Sequence, residues 1–408
     1  MARTSNLANV ATVTRASKAW DPLWDFTNGG TVGTLTEYAS GVARYGSNGL
    51  LVEEASTNAL PNARLEGAAA GTPGTMPADT YIAAAGGLTW SVVGSGTEKG
   101  WPYVELSATG TWSGDGRIDL APVVAGSGAY GEIAALDGET WTFSVGLKLV
   151  SGSIGGELKL ANWERTAAGG TTLDNLGPDI SGSIDGTHRR FIKTDTLSGG
   201  GTTALIVPGI YFDNTSGAAT FALRIYSPQV ENKAYATSPV FPVAASPAAS
   251  TRAADVVTVT AGAWASDEPY TIFCNYQPNK SGNLEYVWSI SDAGSQDYYA
   301  CYLNSSGHNV FVAENGLITE TKTVADLTIS AGDNYKMAVR LQKDAFAFSL
   351  NGQTQVTDAS WNVPTNAATK LLLGSSPFGS ANLRGYIKDF RYWPRALTNA
   401  EIEALVGN

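Results

Sequence analysis

Between residues 140 and 149 apolar and polar side chains alternate. Trp141, Phe143, Val145, Leu147 and Leu149 fall on one side, and Thr140, Thr142, Ser144 and Lys148 on the other. A period of two describes a strand of an antiparallel sheet with one buried face. Residues 220–227 repeat the pattern, with Phe221, Leu223 and Ile225 set against Arg224 and Tyr226. In the last third, Tyr335, Met337, Val339 and Leu341 alternate, as do Phe346, Phe348 and Leu350. Further strands are predicted over 270–276, 284–290, 298–303, 310–313, 370–373 and 386–393. Asn351-Gly352 is a strong turn signal for a hairpin. One helix is predicted near the end: Thr398 and Glu401 form a capping box, the helix runs through Ile402 and Leu405, and Gly407 ends it.

The texture of the chain divides it. Residues 1–58 hold few alternating runs and close on an apolar and acidic cluster, Gly49-Leu50-Leu51-Val52-Glu53-Glu54. Strands separated by Gly-rich turns fill 59–235. Residues 236–254, with Pro239, Pro242 and Pro247 and almost no charge, read as a stiff, extended linker. Strands return over 255–408. No repeat of 20–50 residues is visible, which excludes a solenoid or propeller. The expected fold is all-β: two antiparallel β-sandwich (jelly-roll) domains in tandem, an N-terminal docking segment and a short C-terminal helix. Composition agrees. The 408 residues include 46 Gly and 17 Pro but only 15% charged residues, too few to clothe helical surfaces.

Charge and chemistry remove several functions. A net charge of -11 gives no basic face for phosphates, so nucleic acid is not an expected partner. No apolar run is long enough to span a bilayer, so no membrane insertion is expected, and the first residues lack a secretory pattern. Cys274 and Cys301 lie in apolar strand-like runs and read as reduced, buried residues. The two histidines, His188 and His308, sit in turn-like surroundings, without a local acid or nucleophile to make a triad, and read as hydrated loop residues. No ligand spacing for zinc is present, and Gly94–Gly100 lacks the ending of a phosphate loop. The adjacent acids Asp267-Glu268 and Glu53-Glu54 would point to opposite faces of a strand, unlike the paired carboxylates of a glycosidase. No catalytic residue is therefore assigned. Calcium is the one cofactor considered, with Asp213-Asn214-Thr215 and Ser291-Asp292 as loop oxygens, although such residues also simply cap turns.

Binding is the function that the residues favour. Sugar recognition on a sandwich needs aromatics on the non-core face of a strand, with polar side chains beside them. Along 157–163, Leu158 and Leu160 take the core side and leave Glu157, Lys159 and Trp163 outward. Arg224 and Tyr226 are outward on their strand, and Tyr211 lies outward between Ile210 and Phe212. These six are the candidate glycan-binding residues; Trp101, Tyr103 and Trp112 form a weaker second group. The competing reading packs these rings under a loop or against a neighbouring subunit.

The joints carry a resemblance. Ala43-Arg44-Tyr45 and Gly49 through Leu60 resemble the GLLIE-x-A-R-T-N-L-L entry sequence of bacteriophage virion proteins, with Ser56 in place of the usual Arg. Thr14-Arg15-Ala16-Ser17 with Trp20-Asp21 is similar to that family's opening. Pro228-Gln229-Val230-Glu231 with Tyr235 through Pro239 is similar to its closing stretch, and Thr251 through Asp255 resembles the segment that introduces its next module. Residues 385–402 resemble the last strand and helix of laminin-G-like, concanavalin-type jelly rolls. The resemblance implies a structural protein of a phage or phage-like virion, such as a head spike, decoration fibre or tail fibre. It implies display on the particle, contact with other virion proteins of capsid or tail, a homo-oligomer (a trimer is the common form), and adhesion to host surface polysaccharide. A purely architectural connector and a polysaccharide depolymerase are the alternatives.

Overall fold

The computed structural model describes residues 11–23, 27–121, 133–242, 249–260, 269–279, 284–324, 329–366 and 368–407. Among the described residues the chain is all-β apart from one short α-helix and a 3-10 turn at Ser181–Ser183, and it forms two compact units. The central unit comprises Pro22–Thr36 and Ser56–Arg252; the C-terminal unit comprises Met1–Asp21, Glu37–Ala55 and Ala253–Asn408. Among the described residues, no helix is long and apolar enough to cross a membrane.

The described part of residues 1–58, expected as a separate docking segment, is shared between the units. Thr12–Thr14 pairs with Val256–Thr260, and Gly49–Val52 pairs both with Arg44–Gly46 and with the last strand, Gly385–Trp393. Gly30–Thr31 instead pairs with Arg189–Thr196 in the central unit. The apolar side chains explain the first placement, because Val13, Leu50 and Val52 are buried in the C-terminal core. So does Gly49, which at φ 106° lets the backbone of Ile387 and Lys388 approach where any Cβ would stand. The expected linker differs too. Tyr235, Ala236, Val240 and Phe241 are buried in the central unit. Gln229 Oε1 accepts from Val240 N (2.8 Å), Glu231 Oε2 accepts from Thr237 N (2.9 Å), and Ser250–Arg252 pairs with Ser56–Asn58. Uncharged apolar residues that can find backbone partners pack rather than span; residues 243–248 lie outside the described set.

The central unit is a sandwich. One sheet runs Gly30–Thr31, Arg189–Thr196, Thr140–Ser153, Ala218–Glu231, Trp101–Thr111, Leu88–Glu98. The other runs Thr171–Leu176, Glu157–Arg165, Leu205–Asp213, Gly116–Asp119, Tyr81–Ala85, with Ile133–Ala134 beside Leu205–Asp213. The alternation in 140–149 has its predicted result: Trp141, Phe143, Val145 and Leu147 share a core with Leu158, Leu160, Ile206, Ile210 and Phe212. Trp112 belongs to the same core, and Trp101 is also buried.

The C-terminal unit has two seven-stranded sheets. Its first runs Thr12–Thr14, Val256–Thr260, Lys370–Leu373, Glu285–Ser291, Tyr298–Asn304, Gly307–Glu314, Leu317–Val324. Its second runs Val356–Asp358, Phe346–Leu350, Tyr335–Leu341, Tyr270–Pro278, Gly385–Trp393, Gly49–Val52, Arg44–Gly46. The helix Asn399–Val406 carries the capping box read from Thr398 and Glu401. Ile402 and Val406 pack with Phe273, Ala338, Ala347, Trp393 and Leu397 on the outer face of the second sheet. Cys274 and Cys301 are buried and unpaired, and burial pushes both thiols up.

A buried ion network holds the N-terminal strands of the C-terminal unit. Arg44 Nη1 donates to Glu53 Oε2 (2.7 Å), its Nη2 pairs with Asp255, and Arg15 Nη1 donates to Asp255 Oδ1 (2.7 Å). Glu53 N adds a bond to Asp255 Oδ2 at 3.0 Å. All four side chains are out of solvent, and the carboxylates keep the Arg44 guanidinium charged despite its burial. Removing one member strands the others in low dielectric. Asp255→Asn should therefore destabilise the C-terminal unit by ~3–5 kcal/mol, measured by chemical denaturation.

Both histidines depart from the hydrated-turn reading. His188 lies in the central unit with its ring stacked on Tyr226 at 3.8 Å. His308 is fully buried in the strand Gly307–Glu314, between Tyr276 and Tyr335, with neither ring nitrogen hydrogen-bonded. A turn motif on paper becomes a strand start here because the next residues, Val310 and Val312, are core. Burial lowers His188 to about 3 and His308 to about 4 from an ordinary value of 6.5. Both are neutral in the fold, so their contribution is whole above pH 6.5 and is lost as pH falls from there towards the folded values. Between pH 6 and 5 the unfolding free energy should fall more steeply in the native chain than in His308→Leu, by ~1.4 kcal/mol per pH unit. Denaturant melts at stepped pH measure the difference.

Candidate functional site

The six sequence candidates do not form one surface. They occupy the outer faces of the two opposed sheets of the central unit. On one, Lys159 is opposite Tyr211, and Glu157 opposite Asp213. Lys159 Nζ bonds Glu157 Oε2 (2.7 Å) and Asp213 Oδ2 (2.6 Å), and Tyr211 donates its hydroxyl to Asp115 at 2.6 Å. Burial, then the Asp115 bond, raises the Tyr211 phenol. Trp163 points outward as predicted but is only 3% exposed. It lies over Gly209, where a Cβ would come within 2.7 Å of its ring, and the Arg117 guanidinium covers it at 3.6 Å. Arg117 is fixed in turn by two bonds to Asp119, at 2.5 and 2.8 Å. The ring face that a sugar would use is occupied by the protein's own cation.

Arg224 and Tyr226 lie on the other sheet. Glu98 accepts from Lys148 Nζ (2.7 Å), Arg224 Nη1 (2.6 Å) and the Tyr226 hydroxyl (2.6 Å), while Arg224 Nε donates to Glu105 at 2.7 Å. Burial opposes ionisation of Glu98, but those three bonds outweigh it and hold the carboxyl down to about 2. Tyr103 packs under Arg224 at 4.2 Å, and Tyr226 is buried against His188. Gly146 makes that stack possible, since a Cβ there would overlap His188 Nε2. Alternation places a side chain on the outer side of its own sheet. It cannot say which of two sheets that is, nor what long side chain folds over it.

A third surface is not visible in the alternation pattern alone. In the C-terminal unit the strands 285–291, 298–304 and 307–314 turn Tyr286, Tyr298, Tyr302 and Phe311 away from the core, with Ala300 and Ala313 between them. The register sets Tyr286 opposite Tyr302, and Ala300 opposite Phe311. Ring centroids follow one another: Tyr286 to Tyr302 5.7 Å, Tyr302 to Phe311 5.4 Å, Phe311 to Tyr298 5.5 Å, Tyr298 to Phe378 6.1 Å. Tyr298 and Phe311 are buried by their neighbours, Tyr286 and Tyr302 are half-buried, and Phe378 is 65% exposed. The opposite sheet has its outer face under the C-terminal helix; this one carries the rings. Tyr286 and Tyr302 alternate with Val287 and Leu303, and that is the one signal of them in the sequence.

The adjacent acids read from the sequence are not among the residues of these faces. Glu53 belongs to the ion network, and Asp267-Glu268 lies outside the described residues. Of the loop oxygens considered for calcium, Asp213 is paired with Lys159, and Asp292 Oδ1 accepts from Gln296 N (2.9 Å) and Asp297 N (3.4 Å). Among the described residues, no group of three or more His, Cys, Asp or Glu is arranged to hold a metal.

Residues 251–403 match the family profile described as the Concanavalin A-like lectin/glucanases superfamily. That segment holds most of the C-terminal unit but not the strands at 12–14 and 44–52 that complete its sheets. No curated protein matches the sequence. Among solved structures, a CBM40 of the Ruminococcus gnavus IT-sialidase bound to alpha2,3 sialyllactose is 15% identical, covering 35% of this chain and 83% of that one at a TM-score of 0.30. Domain 4 of an extracellular arabinanase from Geobacillus stearothermophilus, in complex with arabinotriose, is 15% identical over 38% and 73%, TM-score 0.31. The tripod from the baseplate of bacteriophage Tuc2009 is 14% identical over 82% and 99%, TM-score 0.29. At such scores none of these likenesses bears on ligand or activity.

If Arg117 is what closes the Trp163 face, Arg117→Ala should make one tryptophan newly accessible. Acrylamide quenching of intrinsic fluorescence should rise over the native chain, with little change in the folded circular dichroism spectrum.

Proposed function

We propose that the chain is a non-enzymatic adhesive protein of a phage or phage-like virion that holds host surface polysaccharide on the aromatic face of its C-terminal unit. The observation that carries the reading is the unbroken row from Tyr286 to Phe378 on a sheet face that the C-terminal helix does not cover. Aromatic faces take the apolar faces of pyranose rings, and a row of them suits a chain of sugars rather than one. The lectin and glucanase description of residues 251–403 supports the same chemistry, and the joint motifs around Arg44, Glu53 and Asp255 support the particle. Weak contacts suffice if several copies are displayed together, since each bound copy raises the effective concentration of the next. A homotrimer attached to capsid or tail would supply that display.

The architectural alternative draws on one observation: Trp163 and Tyr226 are closed by Arg117 and by His188, within the chain itself. The central unit then serves as a rigid spacer, with Tyr211 and Tyr103 its half-buried outward rings.

Purified protein should bind capsular polysaccharide or lipopolysaccharide of its host and compete with particle adsorption. Phe378→Ala and Tyr302→Ala should each weaken binding about tenfold, the equivalent of ~1.4 kcal/mol. Absence of binding by the native chain, or full binding by both variants, would sink the adhesive role at this face. Reducing ends released from the glycan would establish the depolymerase instead.

A further inference from the structure

The aromatic row ends at a positive charge. Lys370 opens the strand Lys370–Leu373 and pairs with Ser291 on one side and Thr260 on the other. Ser291 is in turn opposite Tyr298. Lys370, Ser291 and Tyr298 therefore lie side by side across three strands on the outer face, since the intervening Leu371, Ile290 and Tyr299 belong to the core. Among the described residues Lys370 enters no ion pair; its ammonium donates to Ser295 Oγ at 2.7 Å. Ser295 Oγ donates to the carbonyl of Pro377 at 3.0 Å, which ties the loop of Phe378 to the same place.

A hydroxyl at this end is unspent. Ser291, opposite Lys370, is 1% exposed, and its Oγ has no hydrogen-bond partner. A buried hydroxyl without a partner is costly and uncommon, so it points to a polar occupant or a water. The carboxylates of the adjoining loop do not serve Lys370. Asp292 Oδ1 is bonded by Gln296 N and Asp297 N, and Asp297 by Asn315 N (2.9 Å) and by Asn366 N (3.0 Å) and Nδ2 (2.8 Å).

An ammonium with no ion pair among the described residues, beside an exposed ring and an unpartnered hydroxyl, has a chemical complement. We infer that this end of the row is a subsite for a pyranose bearing a carboxylate, its ring against Phe378 and Tyr298 and its carboxylate on Lys370. The cation that meets the carboxylate is Lys370, a single ammonium. It selects one acidic sugar in a glycan rather than a polyanion, which the net charge of -11 would repel. This inference rests on the aromatic face being the glycan site.

The test uses the full chain and two pairs of probes: a neutral oligosaccharide carrying a single uronate with the same oligomer whose carboxyl is reduced to an alcohol, and a monosialylated oligosaccharide with its asialo form. Calorimetry should show an acidic form bound about tenfold tighter than its neutral counterpart, with the margin shrinking as salt rises. Which acidic probe wins names the source of the carboxylate. Lys370→Met should bring the acidic form down to the affinity of the neutral one; a thermal melt of the variant confirms that it folds. Equal binding of acidic and neutral forms, or a preference that survives Lys370→Met, overturns the inference and leaves the glycan reading intact. If the native chain binds no probe and no host polysaccharide, the glycan reading fails and the subsite with it.

Discussion

Arg44 between Glu53 and Asp255 is the constraint on which the C-terminal unit depends. Arg44 and Glu53 belong to one hairpin and its exit, Asp255 comes from a stretch that no local rule would join to them, and all three are closed from water. Burying them costs desolvation, and hydrophobic residues of the same volume would often be as stable. What ions supply instead is register. An apolar strand can slip by two residues and still bury the same face, but Arg44 meets both carboxylates in one alignment only. The strands at 44–46 and 49–52 are short and are the last two of a sheet, where slippage is least resisted. The network fixes them, Arg15 extends it to the strand at 12–14, and the two sheets of the sandwich are completed together.

The same logic explains what the joint motifs are for. In the central unit, Glu231 takes the hydroxyl of Ser56 together with the amide and hydroxyl of Thr237. Asn58 takes Val230 N and Leu60 N on its oxygen and gives its amide protons to Pro228 O and Val240 O. Apart from Val240, one position further on, these groups come from the stretches that resemble phage entry and closing sequences. The motifs thus encode how a chain that returns to each unit closes its cores.

The strands are legible because alternation is a local property: 335–341 and 370–373 can be read to the residue, and the capped helix from two side chains. The chain's return to the C-terminal unit at 12–14 and 44–52 is not, because Val13, Leu50 and Val52 are too short a run to show which sheet they complete. Sites fail for a related reason. Trp163 reads correctly as outward, yet Arg117, on another strand and 46 positions earlier in the sequence, covers it. Tyr298 and Phe311 escape notice because they stand in runs apolar on both faces, as a strand buried on both sides would. Only the register, setting small Ala300 opposite Phe311, shows that one of those faces is an aromatic surface.

What separates a sugar platform from a merely exposed ring is how firmly the ring is held. Ordering a loop at the moment of binding subtracts from affinity, and a weak contact can spare little. Four rings of the row stand on strands, already fixed by their register. Phe378 is the exception, standing on a loop, and the loop is braced: Ser376 Oγ bonds Ser380 Oγ (3.0 Å) and accepts from the amides of Phe378 and Ser380 (3.3 Å each). One serine side chain thus does for the loop what a ladder of hydrogen bonds does for the strands. A large apolar ring two-thirds exposed costs solubility and returns little to folding beyond its edge contact with Tyr298. In the adhesive role proposed above, glycan binding offsets that cost, and the bracing lets a single exposed phenylalanine contribute to it.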